Sequence, residues 1–203
     1  MKLTCLLAFG VALTGYAADS AKPVAPATDH SHTAAPDAPP ASGLKHELIA
    51  RVKEADFLKP GDRAKTVKLL IVATWSDDNG GMNFNGYSKG GALYTIPKGW
   101  IVEVTYINPG PVPHSLIVIE KAAVKKLQMP EPYFKGAAVP NHLQGMSYDK
   151  ATFTFTADEV GEFAFACGFP THALNGHWIG LEISAVAKEP TLKLGDQPAM
   201  KAP

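Results

Sequence analysis

The chain has 203 residues, enough for one domain of ordinary size with appendages. Lys+Arg and Asp+Glu both number 19, so the formal charge is zero and nothing in the balance invites a nucleic-acid polyanion.

Met1 to Leu13 combine a basic start with a short apolar core, and small residues follow at Gly15, Ala17 and Ala18. This pattern predicts a secretory signal over residues 1–18, too short for a transmembrane helix, with a retained anchor as the alternative. An exported chain of periplasmic or extracellular location, with no permanent membrane span after signal removal, is expected. Cys5 leaves with the signal, so the mature chain keeps only Cys167 and an internal disulfide is excluded. A lone thiol in an oxidising compartment needs an occupation, and metal ligation supplies one.

Residues 19–42, rich in Ala, Pro, Asp, Thr and Ser, bury too little apolar surface to offset their ordering entropy and read as a disordered tether. Its His30 and His32 read as incidental, with weak copper capture as the alternative. Over residues 43–61, Leu44, Leu48, Ile49, Val52 and Phe57 fall at roughly helical spacing and Pro60-Gly61 closes the segment, which predicts a packing helix.

Short β signals follow: Thr66–Trp75, Leu93–Ile96, Trp100–Ile107, His114–Ile119, Thr152–Thr156, Glu162–Cys167 and His177–Ile183. Each is bounded by Gly, Pro, Asn or Asp, and no long helix separates them. They predict an all-β, antiparallel sandwich with Greek-key links over residues 62–187. Residues 121–148, with Pro130, Pro132, Pro140 and Gly145, break the rhythm as a long excursion with one helical turn near Ala122–Leu127. Residues 188–203 read as a C-terminal tail.

The chemistry concentrates in Cys167-Gly168-Phe169-Pro170-Thr171-His172-Ala173-Leu174-Asn175-Gly176-His177, a Cys-x4-His-x4-His pattern. An aromatic strand that delivers a thiolate, then a Pro- and Gly-containing loop that returns an imidazole, suits a mononuclear copper site, because copper accepts both sulfur and imidazole nitrogen. One loop of this length cannot surround a metal, and His114 in Val112-Pro113-His114-Ser115-Leu116 is the candidate for a further ligand. One Cys with three His is also an acceptable tetrahedral zinc set, but the Cys-x2-Cys knuckles of structural zinc are absent and copper wins an equal contest.

The stretches Phe84 to Gly91, Ile96-Pro97-Lys98-Gly99-Trp100, Val112 to Leu116 and Cys167 to Ala173, taken in order, resemble sulfocyanin, a cupredoxin family related to rusticyanin. The likeness runs from about Val67 to Ser184. It implies a cupredoxin-like domain with a type 1 copper site of His114, Cys167 and His172, one Cu(I)/Cu(II) ion per chain, and a weak axial methionine shortly after the second imidazole. His177 stands in that slot. Imidazole is a stronger donor than a thioether and favours Cu(II), so a lowered potential and a green or red colour are expected. The alternative for His177 is a surface residue that caps the loop. Met82, Met129 and Met146 lie far off in sequence, and Met146 reads as packing.

By the same resemblance Ser115 braces the Cys loop through backbone and side chain. Phe169, Pro170, Ala173 and Leu174 are expected as an apolar collar around an imidazole edge. Asn85-Gly86 and Tyr87 read as a structural turn closing over the site, and His142 as a solvated loop residue. A copper closed by four protein donors implies electron transfer to redox partner proteins, not enzymatic turnover. Two alternatives stay open: an open copper site that binds a small molecule such as nitric oxide or turns over as a redox enzyme, and copper storage or delivery.

Overall fold

The computed structural model describes residues 47–202, in which ten strands form two sheets. The four-stranded sheet has the order β1 (Leu58–Pro60), β2 (Thr66–Val72), β4 (Ile101–Asn108), β6 (Asp149–Thr156). The six-stranded sheet runs β10 (Met200–Lys201), β9 (Thr191–Leu194), β3 (Ala92–Pro97), β8 (Trp178–Ser184), β7 (Gly161–Ala166), β5 (Ile117–Glu120). The all-β two-sheet sandwich expected from the sequence is therefore present. The signal, the tether and His30 and His32 lie outside the described residues, and no described helix is long and apolar enough to cross a membrane.

The sheets are mixed, where wholly antiparallel pairing was expected. β2 pairs β4 in parallel, and β3 pairs β8 in parallel. The cause is topological: β3 belongs to the opposite sheet, so the chain returns to β2 in the same direction when it forms β4. The remaining ladders are antiparallel.

Period-2 alternation assigns side chains to layers. In β7, Phe163 and Phe165 join the inter-sheet core with Tyr94, Tyr106 and Phe155, and Cys167 continues that face one step beyond the strand. Ala164 and Ala166 face the other way, where Ile117, Ile119 and Val124 cover them. Small residues on that outer face let the 3-10 helix Lys121–Lys125 lie close, the helical turn expected in this region.

The excursion after this turn runs along the free edge of β5. Tyr133 N–H donates to the Val118 carbonyl, Val118 N–H to that of Ala137 and Val139 N–H to that of Leu116. The Phe134 ring stacks on Phe155 at 5.2 Å and contacts Phe163 at 4.8 Å. Backbone groups that an edge strand would leave unpaired are thus satisfied within the chain.

Two segments depart from expectation. Residues 43–61 do not form one helix: within the described part, 47–49 are helical, Glu54–Asp56 is a 3-10 turn, and Leu58–Pro60 is an edge strand on β2. Phe57 and Leu58 are buried, and the Tyr94 hydroxyl donates to the Phe57 carbonyl, so tertiary contacts override helical spacing. The segment expected as a C-terminal tail is, over its described residues 188–202, partly strand. Thr191–Leu194 pairs with β3 and buries Leu192 and Leu194, and Met200–Lys201 pairs with β9.

Candidate metal centre

The register of one hairpin builds half the site. β7 and β8 are antiparallel with Ala166 opposite Trp178, so the next step outward puts Cys167 opposite His177. Cys167 N–H donates to the His177 carbonyl at 3.0 Å and extends the ladder by one bond. Between these two positions, His177 N–H donates to the His172 carbonyl, Asn175 N–H to that of Thr171 and Gly176 N–H to that of Ala173. The loop is wound tightly enough to turn His172 back over the hairpin. Thr171, a β-branched residue, adopts a left-handed conformation there (φ 68°).

His114 arrives from the β4–β5 connection. It pairs antiparallel with Met146, with His114 N–H to the Met146 carbonyl at 3.1 Å and Met146 N–H to the His114 carbonyl at 2.8 Å. Asn108, fully buried at the end of β4, donates its amide to the carbonyls of Val112 and Met146 and so holds both sides of this bridge.

One ligand atom from each of His114, Cys167, His172 and His177 falls within 4.8 Å of the others. The Nδ1 atoms of His114 and His172 face each other at 3.1 Å, and lie 3.9 and 3.5 Å from Cys167 Sγ. His177 Nε2 donates to the Asn83 carbonyl at 3.1 Å, which leaves Nδ1 as its lone-pair nitrogen, buried and without a hydrogen-bond partner. The ring centroids of His114 and His177 are 4.6 Å apart, and Phe84 packs on His177 at 4.2 Å. An unpartnered buried imidazole nitrogen beside two others and a thiol is costly by itself, and a metal ion would satisfy all four at once.

Electrostatics favour the forms that bind metal for the imidazoles. Burial holds His177 well below the usual imidazole range, with the neighbouring His114 and His172 acting in the same sense and the Asn83 carbonyl against them. Burial, then His172, brings His114 down to about 4. Burial also lowers His172. All three rings are neutral near pH 7. The Cys167 thiol is pushed up by burial, opposed by the N–H groups of Ser115 and Phe169. A divalent ion would reverse that balance and stabilise the thiolate.

Ser115 is fully buried, and its N–H donates to Cys167 Sγ at 3.3 Å. Its hydroxyl donates to the His142 carbonyl at 2.6 Å and accepts from Gly168 N–H at 2.8 Å. A Cβ on Gly168 would lie 2.7 Å from that carbonyl oxygen, so glycine is required for this close approach. His142 is a partly exposed loop residue, its ring beside Gly168, and it lies outside the four-donor group.

The expected collar divides. Phe169 packs on His172 at 4.6 Å, and Pro170 and Leu174 are exposed. Ala173 is instead buried against the outer-face cluster of Ile117 and Ala166, because the tight turn after His172 carries it inward. Met146 contributes its backbone to the His114 bridge, and its side chain packs half-buried against the core.

Sequence reasoning missed Asn83, Phe84 and Asn108. The clustered turn residues Asn79-Gly80-Gly81 and Asn83 to Gly86 were the available signal, but a backbone carbonyl as the partner of a ring nitrogen has no motif.

The profile of the Sulfocyanin (SoxE) domain matches residues 55–192, more than half of the chain. The chain is 32% identical over 129 residues to a sulfocyanin of Sulfolobus acidocaldarius, an alignment covering 59% of this chain and 64% of that protein. It thus spans a little under two thirds of that curated relative. Among solved structures, dithionite-reduced auracyanin from Roseiflexus castenholzii matches at 21% identity and a TM-score of 0.41, covering 60% of this chain and 98% of that one. Reduced rusticyanin matches at 18% identity and a TM-score of 0.43, covering 71% and 91%.

Proposed function

We propose that this chain, which belongs to the sulfocyanin (SoxE) domain family, is an exported electron carrier that holds one copper ion between His114, Cys167, His172 and His177. The observation that carries this reading is the convergence of one thiol and three imidazoles within 4.8 Å, with His114, Cys167 and His177 buried and only His172 reaching partial exposure. Copper bound there supplies a one-electron Cu(I)/Cu(II) couple.

The residues of the chain supply the rest. Ser115 holds the sulfur, Asn108 holds the segment that carries His114, and the hairpin holds Cys167 opposite His177. Side chains fixed this way have little freedom to rearrange between two charge states, which suits electron transfer. Burial of three donors also argues against an open position for nitric oxide and against turnover as an enzyme. The His172 edge, with Phe169 packed on it and Pro170 and Leu174 exposed nearby in the loop, is where a redox partner protein would approach. His177 as fourth donor gives a lower potential and a green or red colour, since imidazole favours Cu(II) more than a thioether does. Export to the periplasm or cell exterior rests on the signal-like residues 1–18.

The test is optical and EPR spectroscopy of the copper-loaded protein beside His177→Met, with azide added to each. The expected result is a thiolate spectrum displaced from that of blue proteins, insensitive to azide, that moves toward blue with a raised potential in the variant. An ordinary blue spectrum unchanged by the substitution overturns the role of His177, and a spectrum that responds to azide overturns the closed site.

A further inference from the structure

We propose that Asn83 is the positioning residue for His177, and that the β2–β3 connection, residues 73–91, is a clamp that fixes this ring's tautomer and direction. The proposal deepens the copper reading above and rests on it for its consequence, though not for its geometry.

The Asn83 carbonyl accepts two hydrogen bonds, from His177 Nε2–H at 3.1 Å and from Thr74 N–H at 3.0 Å. A carbonyl oxygen has two lone pairs, so both are engaged. That oxygen is held in place by its own side chain. Asn83 is fully buried, and its amide Nδ2 donates to the carbonyls of Ser76 at 2.8 Å and Asp78 at 2.9 Å. Its Oδ1 accepts from Gly86 N–H at 3.2 Å and Ser76 N–H at 3.4 Å. One side chain thus folds residues 76–86 around a single carbonyl. The fold is strained to do so: Thr74, Asn79 and Asn85 all have left-handed φ near 50°.

Separate bonds then lock this connection to the ligand loop. Asn79 Nδ2 donates to the Asn175 carbonyl at 3.0 Å, Lys89 N–H to that of Gly176 at 2.8 Å and Gly90 N–H to that of Trp178 at 3.1 Å. They bracket His177 on both sides. Phe84, next to Asn83, covers the ring face at 4.2 Å. With Nε2 committed to a carbonyl acceptor, the ring carries its proton there, and Nδ1 must present the lone pair. Without this acceptor either tautomer could occur, and the one protonated on Nδ1 could not donate to a metal.

The test uses the metal-free full chain first, so that it stands apart from copper chemistry. Long-range proton–nitrogen NMR reads the tautomer of His177, and solvent exchange reads the protection of its ring N–H. In the wild type, a proton on Nε2 with slow exchange is expected; a proton on Nδ1, or exchange as fast as that of an exposed ring, overturns the proposal whether or not any variant folds. Asn83→Ala should speed that exchange about a thousandfold, the opening expected when four hydrogen bonds of ordinary strength are lost. Asn83→Asp keeps the acceptor oxygen but loses the two donations, and should fall between the two. Ser88→Ala, at an exposed hydroxyl of the same connection that donates to Asp78, should leave exchange unchanged; equal acceleration there would mean general loosening and overturn the role of Asn83. After copper loading, Asn83→Ala should shift the thiolate spectrum in the direction of His177→Met. Wild-type exchange and tautomer as expected, beside copper spectra that ignore His177, would refute the ligand assignment and leave the clamp standing.

Discussion

Lowering the pH should unfold the metal-free protein by way of its buried imidazoles, and His114 sets the scale. It is 2% exposed, and its folded-state value is about 4 against an ordinary imidazole value of 6.5. A depressed value means that the unfolded chain binds a proton which the folded site refuses. Stability is therefore complete above about pH 6.5, falls as pH drops below it, and has lost the whole contribution near pH 4. Each pH unit of that fall costs about 1.36 kcal/mol per imidazole, so His114 alone removes about 2 kcal/mol by pH 5. His177, lowered well below its ordinary range by burial, adds in the same direction as the pH falls below the ordinary imidazole range. Urea unfolding of the chelator-treated protein, followed by tryptophan fluorescence at pH 7, 6 and 5, measures the fall. His114→Gln should reduce the slope by about one proton, since it removes one of the refused sites. A free energy that stays level between pH 7 and pH 5, or a slope unchanged in the variant, would refute the claim that these rings are held neutral by the fold.

Two further outcomes test other parts of the structure. Gly176 has φ +97°, and an added Cβ would lie 2.6 Å from the Lys89 side chain; Gly176→Ala should cost about 1–3 kcal/mol in thermal unfolding from backbone strain alone, and an unchanged melting temperature would contradict the described loop. Truncation after Ala187 removes β9 and β10 with two buried leucines; a loss of about 3–5 kcal/mol in denaturant unfolding is expected, and full stability would mean that the C-terminal strands do not pack as described.

Much of the centre was readable because the thiol and two imidazoles sit on one hairpin loop, and spacing within a loop maps directly onto space. Cys167 and His177 become neighbours by strand register, and register follows from alternation in Phe163-Ala164-Phe165-Ala166. His114 was readable from its Pro-flanked place before an apolar strand. What escaped depends on contacts between distant segments. The parallel β2–β4 pairing depends on which sheet β3 joins, and no local pattern encodes that. Thr191-Leu192-Lys193-Leu194 alternates for only four residues, too short a signal against the Pro and Gly around it, and becomes a strand because the edge of β3 is there to receive it. Leu48, Val52 and Phe57 carry helical spacing, yet Phe57 answers to Trp75 and Tyr94 instead. Ala173 went inward for the same reason: the pocket over Ala164 and Ala166 takes a methyl group.

Because Cys167 and His177 ride on the closing rung of a hairpin, and Gly168, Ala173, Asn175 and Gly176 keep the rest of the loop in place, the short stretch 169–171 can change without disturbing the sandwich beneath. Adding or removing residues inside 169–171 would relocate His172 while the thiol and the last imidazole remain face to face. That part of the metal's surroundings is therefore interchangeable: grafting stretches of other lengths there should yield a graded set of redox potentials from one unaltered pair of sheets.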